Sequence, residues 1–423
     1  MKYSIFNNRL RLSENADIIY NALSEKYIII RKNASLPLLY SDENKDEINT
    51  LTSMGFIVPD NKKEIEEALG IFLKSSQNDN YFKLTINPTL RCNFRCWYCY
   101  EDHKNNSNMN EETFNAIKSL IDKLTDRYHK LELAFFGGEP ILEFSRVVLP
   151  LIQYTKEISY KKGKEYIITF TTNGYLFTPE IIRKLSLYNI GVSQITLDGG
   201  PLSHNETRKA KGDDSFITII RNIKELAHNG LPVLIRINVT QRNVKSALEI
   251  PEYFSSLNKQ DKSNLTILVQ QVWQDKENDI LNEIWDIYEA FIKIGIYPWR
   301  ISFNNLETIC YADCLHSAVI NYDGRVFKCT AIDFSKFKED TTIHDNVLSS
   351  LELRFNERIQ KRLSNKSCNS CRIYPICGGG CSKHVDQAAD CKEYCLYPSE
   401  KDKDKMVKNI IYQILKLRKL GLR

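Results

Sequence analysis

From Tyr81 onward the chain alternates apolar, β-branched stretches with amphipathic ones. FKLTINP, LELAFFGGEP, YIITFTTNG, VSQITLDGG, LPVLIRINVT and NLTILVQQVW read as strands. The stretches ETFNAIKSLIDKLTDRY, RVVLPLIQYTKEISY, PEIIRKLSLYN and FITIIRNIKELAHNG carry helical spacing. Strands that alternate with helices in this way are restricted to parallel βα units. Six strands predict an α/β fold built on a partial, TIM-like (β/α)6 barrel. Parallel barrels gather their reactive groups at the C-terminal ends of the strands. Motif-like residues follow several of these strands directly, so the strand ends are expected to face one site.

The flanks read differently. Residues 1–80 contain IIYNALSEKYIII, the pattern of a hairpin. ENKDEINTLTSMGFIVPD has helical spacing that stops at Gly55, and KKEIEEALGIFLKSS forms a second amphipathic helix. A small β+α module is expected, joined by a linker at Ser76–Asn80. Beyond about residue 305 the pattern dissolves into short cysteine-bearing loops. The basic amphipathic stretch KDKDKMVKNIIYQILKLRKLGLR closes the chain as a packing helix. The expected division is 1–80, 81–304 and 305–423.

Composition narrows the class. With 423 residues, 42% hydrophobic and 26% charged, the chain reads as a soluble globular protein of several domains. A net charge of +5 gives no strong case for nucleic acid. No run of about 18 apolar residues predicts a membrane span, and MKYSIFNNRLRLSENAD lacks a signal-peptide core, so the cytoplasm is expected. Twelve cysteines, nine of them beyond residue 305, fall in tight clusters. In a reducing compartment this argues for metal ligation over disulfides.

The stretch RCNFRCWYCYED holds Cys92, Cys96 and Cys99, spaced C-x3-C-x2-C. A structural zinc site is closed by four ligands. Here only His103 stands nearby as a fourth, and the loop is crowded with Phe94, Trp97, Tyr98 and Tyr100. An iron–sulfur cubane on three thiolates leaves one iron open to an outside ligand and works at low potential. Spacing favours the cluster and leaves zinc open. In the tail, Cys310, Cys314 and Cys329 precede Cys368, Cys371, Cys377 and Cys381, with Cys391 and Cys395 after them. C-x2-C-x5-C-x3-C supplies four thiolates, and alone it suits zinc.

The first motif, placed after the first strand of a βα barrel with an aromatic before its last cysteine, resembles the radical S-adenosylmethionine (SAM) enzymes. The resemblance implies that Cys92, Cys96 and Cys99 hold a 4Fe–4S cluster. Its open iron would chelate SAM and cleave it to a 5′-deoxyadenosyl radical. GGEP, at Gly137, Gly138, Glu139 and Pro140, resembles the element that meets the SAM amino group. Thr172 and Asn173 match a polar pair that touches SAM. ITLDG with H-x3-R supplies Asp198, His204 and Arg208. The resemblance sets Arg208 against the SAM carboxylate, Asn238 against the nucleoside and Tyr98 against the adenine.

The tail resembles the SPASM extension of these enzymes, which carries two auxiliary 4Fe–4S clusters. By that resemblance the first uses Cys310, Cys314, Cys329 and Cys381. The second uses Cys368, Cys371 and Cys377 with Cys395, leaving Cys391 spare. Cys310 opening the motif without Cys314 is the alternative for the first cluster.

Two branches of such enzymes are compatible. Sulfatase-maturing enzymes place an Asp directly after the cysteine matching Cys329; this chain has Thr330 there, with Asp333 the nearest acid. Peptide maturases act on a precursor of leader plus core, and some begin with a winged-helix-like module that grips the leader. Residues 1–80 have that pattern. The expectation is a peptide maturase that abstracts hydrogen from a core residue to form a crosslink or related product, reduced by a flavodoxin or ferredoxin. A zinc-stabilised binding protein is the non-enzyme alternative.

Overall fold

The computed structural model describes residues 1–423 except 35, 37–43, 102, 104–106, 210–213, 276, 278, 300–302, 335, 337–340, 389–391 and 423. Cys391 lies outside the described residues. The chain forms two compact units, 79–301 with 316–351, and 1–78 with 302–315 and 352–423.

The first of these is the α/β unit. Its strands are β1 (Tyr81–Ile86), β2 (Lys130–Phe135), β3 (Glu165–Thr172), β4 (Ile190–Leu197), β5 (Val233–Val239) and β6 (Leu265–Gln271), followed by β7 (Tyr297–Pro298), β8 (Ser317–Ile320) and β9 (Val326–Phe327). They form one sheet in the order β7-β6-β5-β4-β3-β2-β1-β8-β9. β1 to β6 are parallel neighbour to neighbour. The six strands expected from the sequence are present, and the unit is a partial (β/α)6 barrel.

Local chemistry sets the helix starts. Asn110 accepts the Thr113 N–H at 2.8 Å to cap Glu111–Arg127. Thr178 caps Pro179–Leu185, with the proline at its first position, where a missing N–H costs nothing. Asp214 caps Ser215–His228. Inside, Leu84, Ile86, Leu133, Ile168, Ile195 and Ile237 pack with Ile117, Ile121, Leu151 and Ile223 of the helices. Each such side chain, fully buried, contributes roughly 1.5–3 kcal/mol.

Residues 316–351 join this unit, so its borders do not follow chain order as 81–304 and 305–423 do. The loops expected beyond 305 are only part of the picture. Ser317–Ile320 pairs parallel to β1, with Ser317 opposite Lys83 and Ile320 opposite Ile86. It then turns through Gly324, at φ +82°, into the antiparallel β9. A 17-residue helix, Val347–Leu363, also lies in the stretch read as loops.

In the second unit, Asn7–Arg11, Ala16–Asn21 and Tyr27–Arg31 form an antiparallel sheet in chain order, the last two being the expected hairpin. Helices Lys45–Ser53 and Glu64–Ser76 match the two amphipathic stretches, and Gly55, at φ +84°, follows the first. The central strand is buried on both faces. Ile19 packs with Leu51, Phe56 and Ile57. Ile18 and Tyr20 pack with Phe72 and with Val407, Ile410, Ile411 and Ile414 of the last helix, Glu400–Lys419. That helix is therefore a packing helix, started by a capping box between Ser399 and Asp402. Among the described residues, no helix is long and apolar enough to cross a membrane.

Candidate active site

The cysteine loop leaves the end of β1 and is clamped by the loop that follows β2. Gly138 N–H donates to Thr89 O at 3.1 Å, and Glu139 N–H to Arg91 O at 2.8 Å. A Cβ on Gly138 would collide with the backbone carbonyls of Leu90 and Arg91. Gly137 adopts φ +104°, and a Cβ there would lie 2.5 Å from Thr89 O. Both glycines are thus required by close approach of the cysteine loop. Arg91 adds an ion pair to Glu143 at 2.6 Å, and Glu143 also pairs with Arg146 at 2.8 Å.

Glu139 is fully buried and ties three segments together. Its carboxylate accepts from Ile141 N–H at 3.0 Å, Thr172 Oγ1 at 2.8 Å and Asn173 N–H at 2.8 Å. Burial raises its pKa, while these donors favour the charged form. Pro140 begins the short helical turn that Glu139 caps and is itself buried. Asn173 reaches back to the cysteine loop, donating to Asn93 Oδ1 at 2.7 Å and to Cys92 Sγ at 3.9 Å.

A second network crosses the strand ends through Tyr98. Its hydroxyl donates to Asp198 Oδ1 at 2.6 Å and accepts from Arg208 Nη2 at 2.8 Å and Asn238 Nδ2 at 3.1 Å. Arg208 and Asp198 form a buried ion pair through Arg208 Nε. His204 accepts the Asp198 N–H on Nδ1 at 3.3 Å, and burial keeps its imidazole neutral by lowering its pKa. Gln274 donates to Tyr98 O at 3.0 Å.

These segments line one cavity. Its wall includes Cys92, Cys96, Tyr98, Cys99, Gly137, Gly138, Thr172, Asn173, Arg208 and Asn238. Of the residues expected from the sequence, Glu139, Pro140 and Asp198 are instead buried in the hydrogen-bonded support behind that wall. The sequence reading missed Glu101, Gln194, Thr196, Arg236, Gln271 and Trp273, which also line the cavity. For Arg236 a signal existed: it stands two residues before Asn238 on one strand, so strand alternation puts both on the same face. Trp273 stacks on Tyr100 with ring centroids 6.1 Å apart.

The donor set fits a cluster better than a single ion. A tetrahedral zinc with Zn–S of about 2.3 Å draws its sulfurs to about 3.8 Å from one another. Among the described residues, the group of three ligating side chains whose donor atoms all lie within 4.8 Å is Cys99, Glu101 and His103; no three cysteines meet that spacing. Burial pushes the Cys92 thiol up to about 12 and the Cys99 thiol to about 11, and it also raises Cys96. Metal binding must therefore displace protons. Burial also pushes Glu101 up to about 8, aided by Asp333.

Residues 86–249 match the family model of the radical SAM superfamily. This stretch is a radical SAM domain. Its family binds a 4Fe–4S cluster and SAM. The enzyme is similar to the radical SAM cyclopropyl synthase TigE of Paramaledivibacter caminithermalis, 27% identical over 63% of this chain and 60% of that protein. It is also similar to a cysteine-type anaerobic sulfatase-maturating enzyme of Clostridium novyi, 26% identical over 72% of this chain and 88% of that one. The fold is that of Streptococcus suis SuiB bound to precursor peptide SuiA, with a TM-score of 0.56, 15% identity and coverage of 93% and 98%.

The cysteine-rich tail of the enzyme is consistent with auxiliary clusters. Eleven cysteines are described, all free. Cys368, Cys371, Cys377 and Cys395 lie close enough to act electrostatically on one another. Cys310 and Cys314 flank Asp313, and Cys381 precedes Ser382. Arg362 joins the two segments: its guanidinium donates to Asp313 Oδ2 at 2.6 Å, Ser382 Oγ at 3.1 Å and Gly380 O at 3.0 Å, and also to Gly378 O. Gly378, Gly379 and Gly380 all have positive φ. Cys329 belongs to the α/β unit.

Removing Arg362 would take the nearer cation from the buried Asp313, leaving it the longer ion pair to Arg358 at 3.7 Å and the Ser382 hydroxyl. Arg362→Ala is expected to cost about 1–3 kcal/mol of stability. Iron in the reconstituted protein should fall from about 12 atoms per chain to about 8 or fewer. Denaturant titration and iron analysis check both.

Proposed function

We propose that this enzyme is a radical SAM/SPASM maturase of a ribosomally made precursor peptide. The observation that carries the reading is the outer edge of Tyr27–Arg31. Among the described residues no strand pairs with it, although the strand is apolar and Ile29 is 53% exposed. An edge of this kind takes up an extended peptide by strand addition, with side-chain pockets supplying selectivity. The leader would bind there. The precursor-bound SuiB supports the same class of substrate, and TigE a related chemistry.

Cys92, Cys96 and Cys99 would hold the cluster, which would supply the electron for cleaving SAM and so for hydrogen abstraction from the peptide core. The chain's own residues position the reactants. Glu139, Thr172 and Asn173 hold the loops after β2 and β3 against the cysteine loop. Asp198 and His204 fix Arg208 and Tyr98 at the wall, where Arg208 faces the SAM carboxylate, Tyr98 the adenine and Asn238 the nucleoside. Cys310, Cys314, Cys329 and Cys381 would hold one auxiliary cluster, and Cys368, Cys371, Cys377 and Cys395 would hold the other. A flavodoxin or ferredoxin in a reducing cytoplasm supplies electrons.

The sulfatase-maturing alternative lacks its acid at Thr330, and Asp333 is engaged with Lys336 at 2.9 Å. Co-expression with a candidate precursor peptide, sought as a short open reading frame beside the gene, separates the two. A loss of two hydrogens from that peptide, or unchanged mass with altered stereochemistry, fits the proposal. Reaction of a sulfatase-derived peptide alone overturns it.

A further inference from the structure

Arg236 stands apart from the other charges of the cavity. It lies in the middle of β5, and its Nε donates to Asn238 Oδ1 at 2.9 Å. Among the described residues its guanidinium forms no ion pair, whereas Arg208 beside it is committed to Asp198 and Tyr98. On the flanking strands the wall offers Gln194, Thr196 and Gln271, which are polar but uncharged. Burial lowers the Arg236 pKa, and Tyr100, Tyr98 and Asp198 offset this only in part. A rigid fork of donors at a cavity wall matches a carboxylate.

We infer that Arg236 anchors a carboxylate of the peptide substrate, either an acidic side chain or the C-terminus, at the cavity wall. The inference rests on the peptide-maturase reading and names a feature of its substrate. The carboxylate of SAM belongs elsewhere. Its methionyl end lies at the cluster, and Arg208 acts electrostatically on all three cysteine thiols. The electrostatic neighbours of Arg236 are Tyr100, Tyr98, Asp198 and Arg208. Glu101, the carboxylate of the wall, is instead coupled to Asp333.

The test is an anoxic binding titration of the reconstituted holoenzyme with SAM present. Three short probes are compared: acetyl-Gly-Glu-Gly-amide, acetyl-Gly-Gln-Gly-amide and acetyl-Gly-Gly-Gly with a free C-terminus. One of the two carboxylate probes should bind about tenfold more tightly than the neutral one, the worth of a charge-assisted hydrogen bond. Which one it is identifies the source of the carboxylate. Arg236→Gln should erase the preference while SAM affinity stays within about threefold. Arg236→Lys, which keeps the charge but loses the fork, should retain part of it and serves if the Gln variant holds less iron.

Equal binding of all three probes to the unaltered enzyme overturns the inference. So does a preference that survives in Arg236→Gln, or a tenfold loss of SAM affinity in that variant. The maturase reading fails separately, when candidate precursor peptides co-expressed with the enzyme emerge unmodified.

Discussion

Cys96→Ala is expected to reduce SAM cleavage to the level of a control without enzyme. Cys92, Cys96 and Cys99 are the three protein ligands proposed for the cluster, and a two-thiolate site would lose both the cluster and its open iron. The measurement is 5′-deoxyadenosine formed under dithionite, paired with iron content. Iron should fall by about 4 atoms per chain while the tail cysteines keep theirs. Cleavage at the unaltered rate would contradict the assignment of the loop.

Gly138→Ala is expected to be nearly as damaging, although no reacting atom is removed. The added methyl would run into the carbonyls of Leu90 and Arg91, which are backbone and cannot swing aside. The cysteine loop must shift instead, and a displacement of about 1 Å at a reacting centre costs on the order of 10²-fold in rate. The check is the rate of SAM cleavage together with the electron paramagnetic resonance signal of the reduced cluster with and without SAM. An altered signal at retained iron content indicates a misplaced site, whereas an unchanged rate would mean the loop is not clamped as described.

Much of this was legible in the sequence. Three thiolates in eight residues, GGEP, TNG and LDG each follow a strand, and strand ends converge in a parallel barrel. What was missed depends on distant partners. Ser317–Ile320 is short and becomes a strand by pairing with Tyr81–Ile86, far away in the chain. Its turn, NYDGRVF, did carry an Asp-Gly hairpin signal. Arg362 looks like one more basic residue at a helix end until Asp313 and Ser382 are brought to it. The resemblance ties GGEP to the SAM amino group; the structure gives its glycines another neighbour, the cysteine loop itself. Arg208 likewise has a partner in Asp198 that spacing alone did not assign.

The central claim is that hydrogen leaves a peptide and arrives on 5′-deoxyadenosine. The direct measurement uses a peptide that the enzyme modifies on co-expression, uniformly deuterated at carbon, with the holoenzyme and unlabelled SAM in ordinary water. Mass spectrometry of the 5′-deoxyadenosine should show deuterium accumulating in step with the modified peptide. Modified peptide alongside 5′-deoxyadenosine free of deuterium would contradict the account.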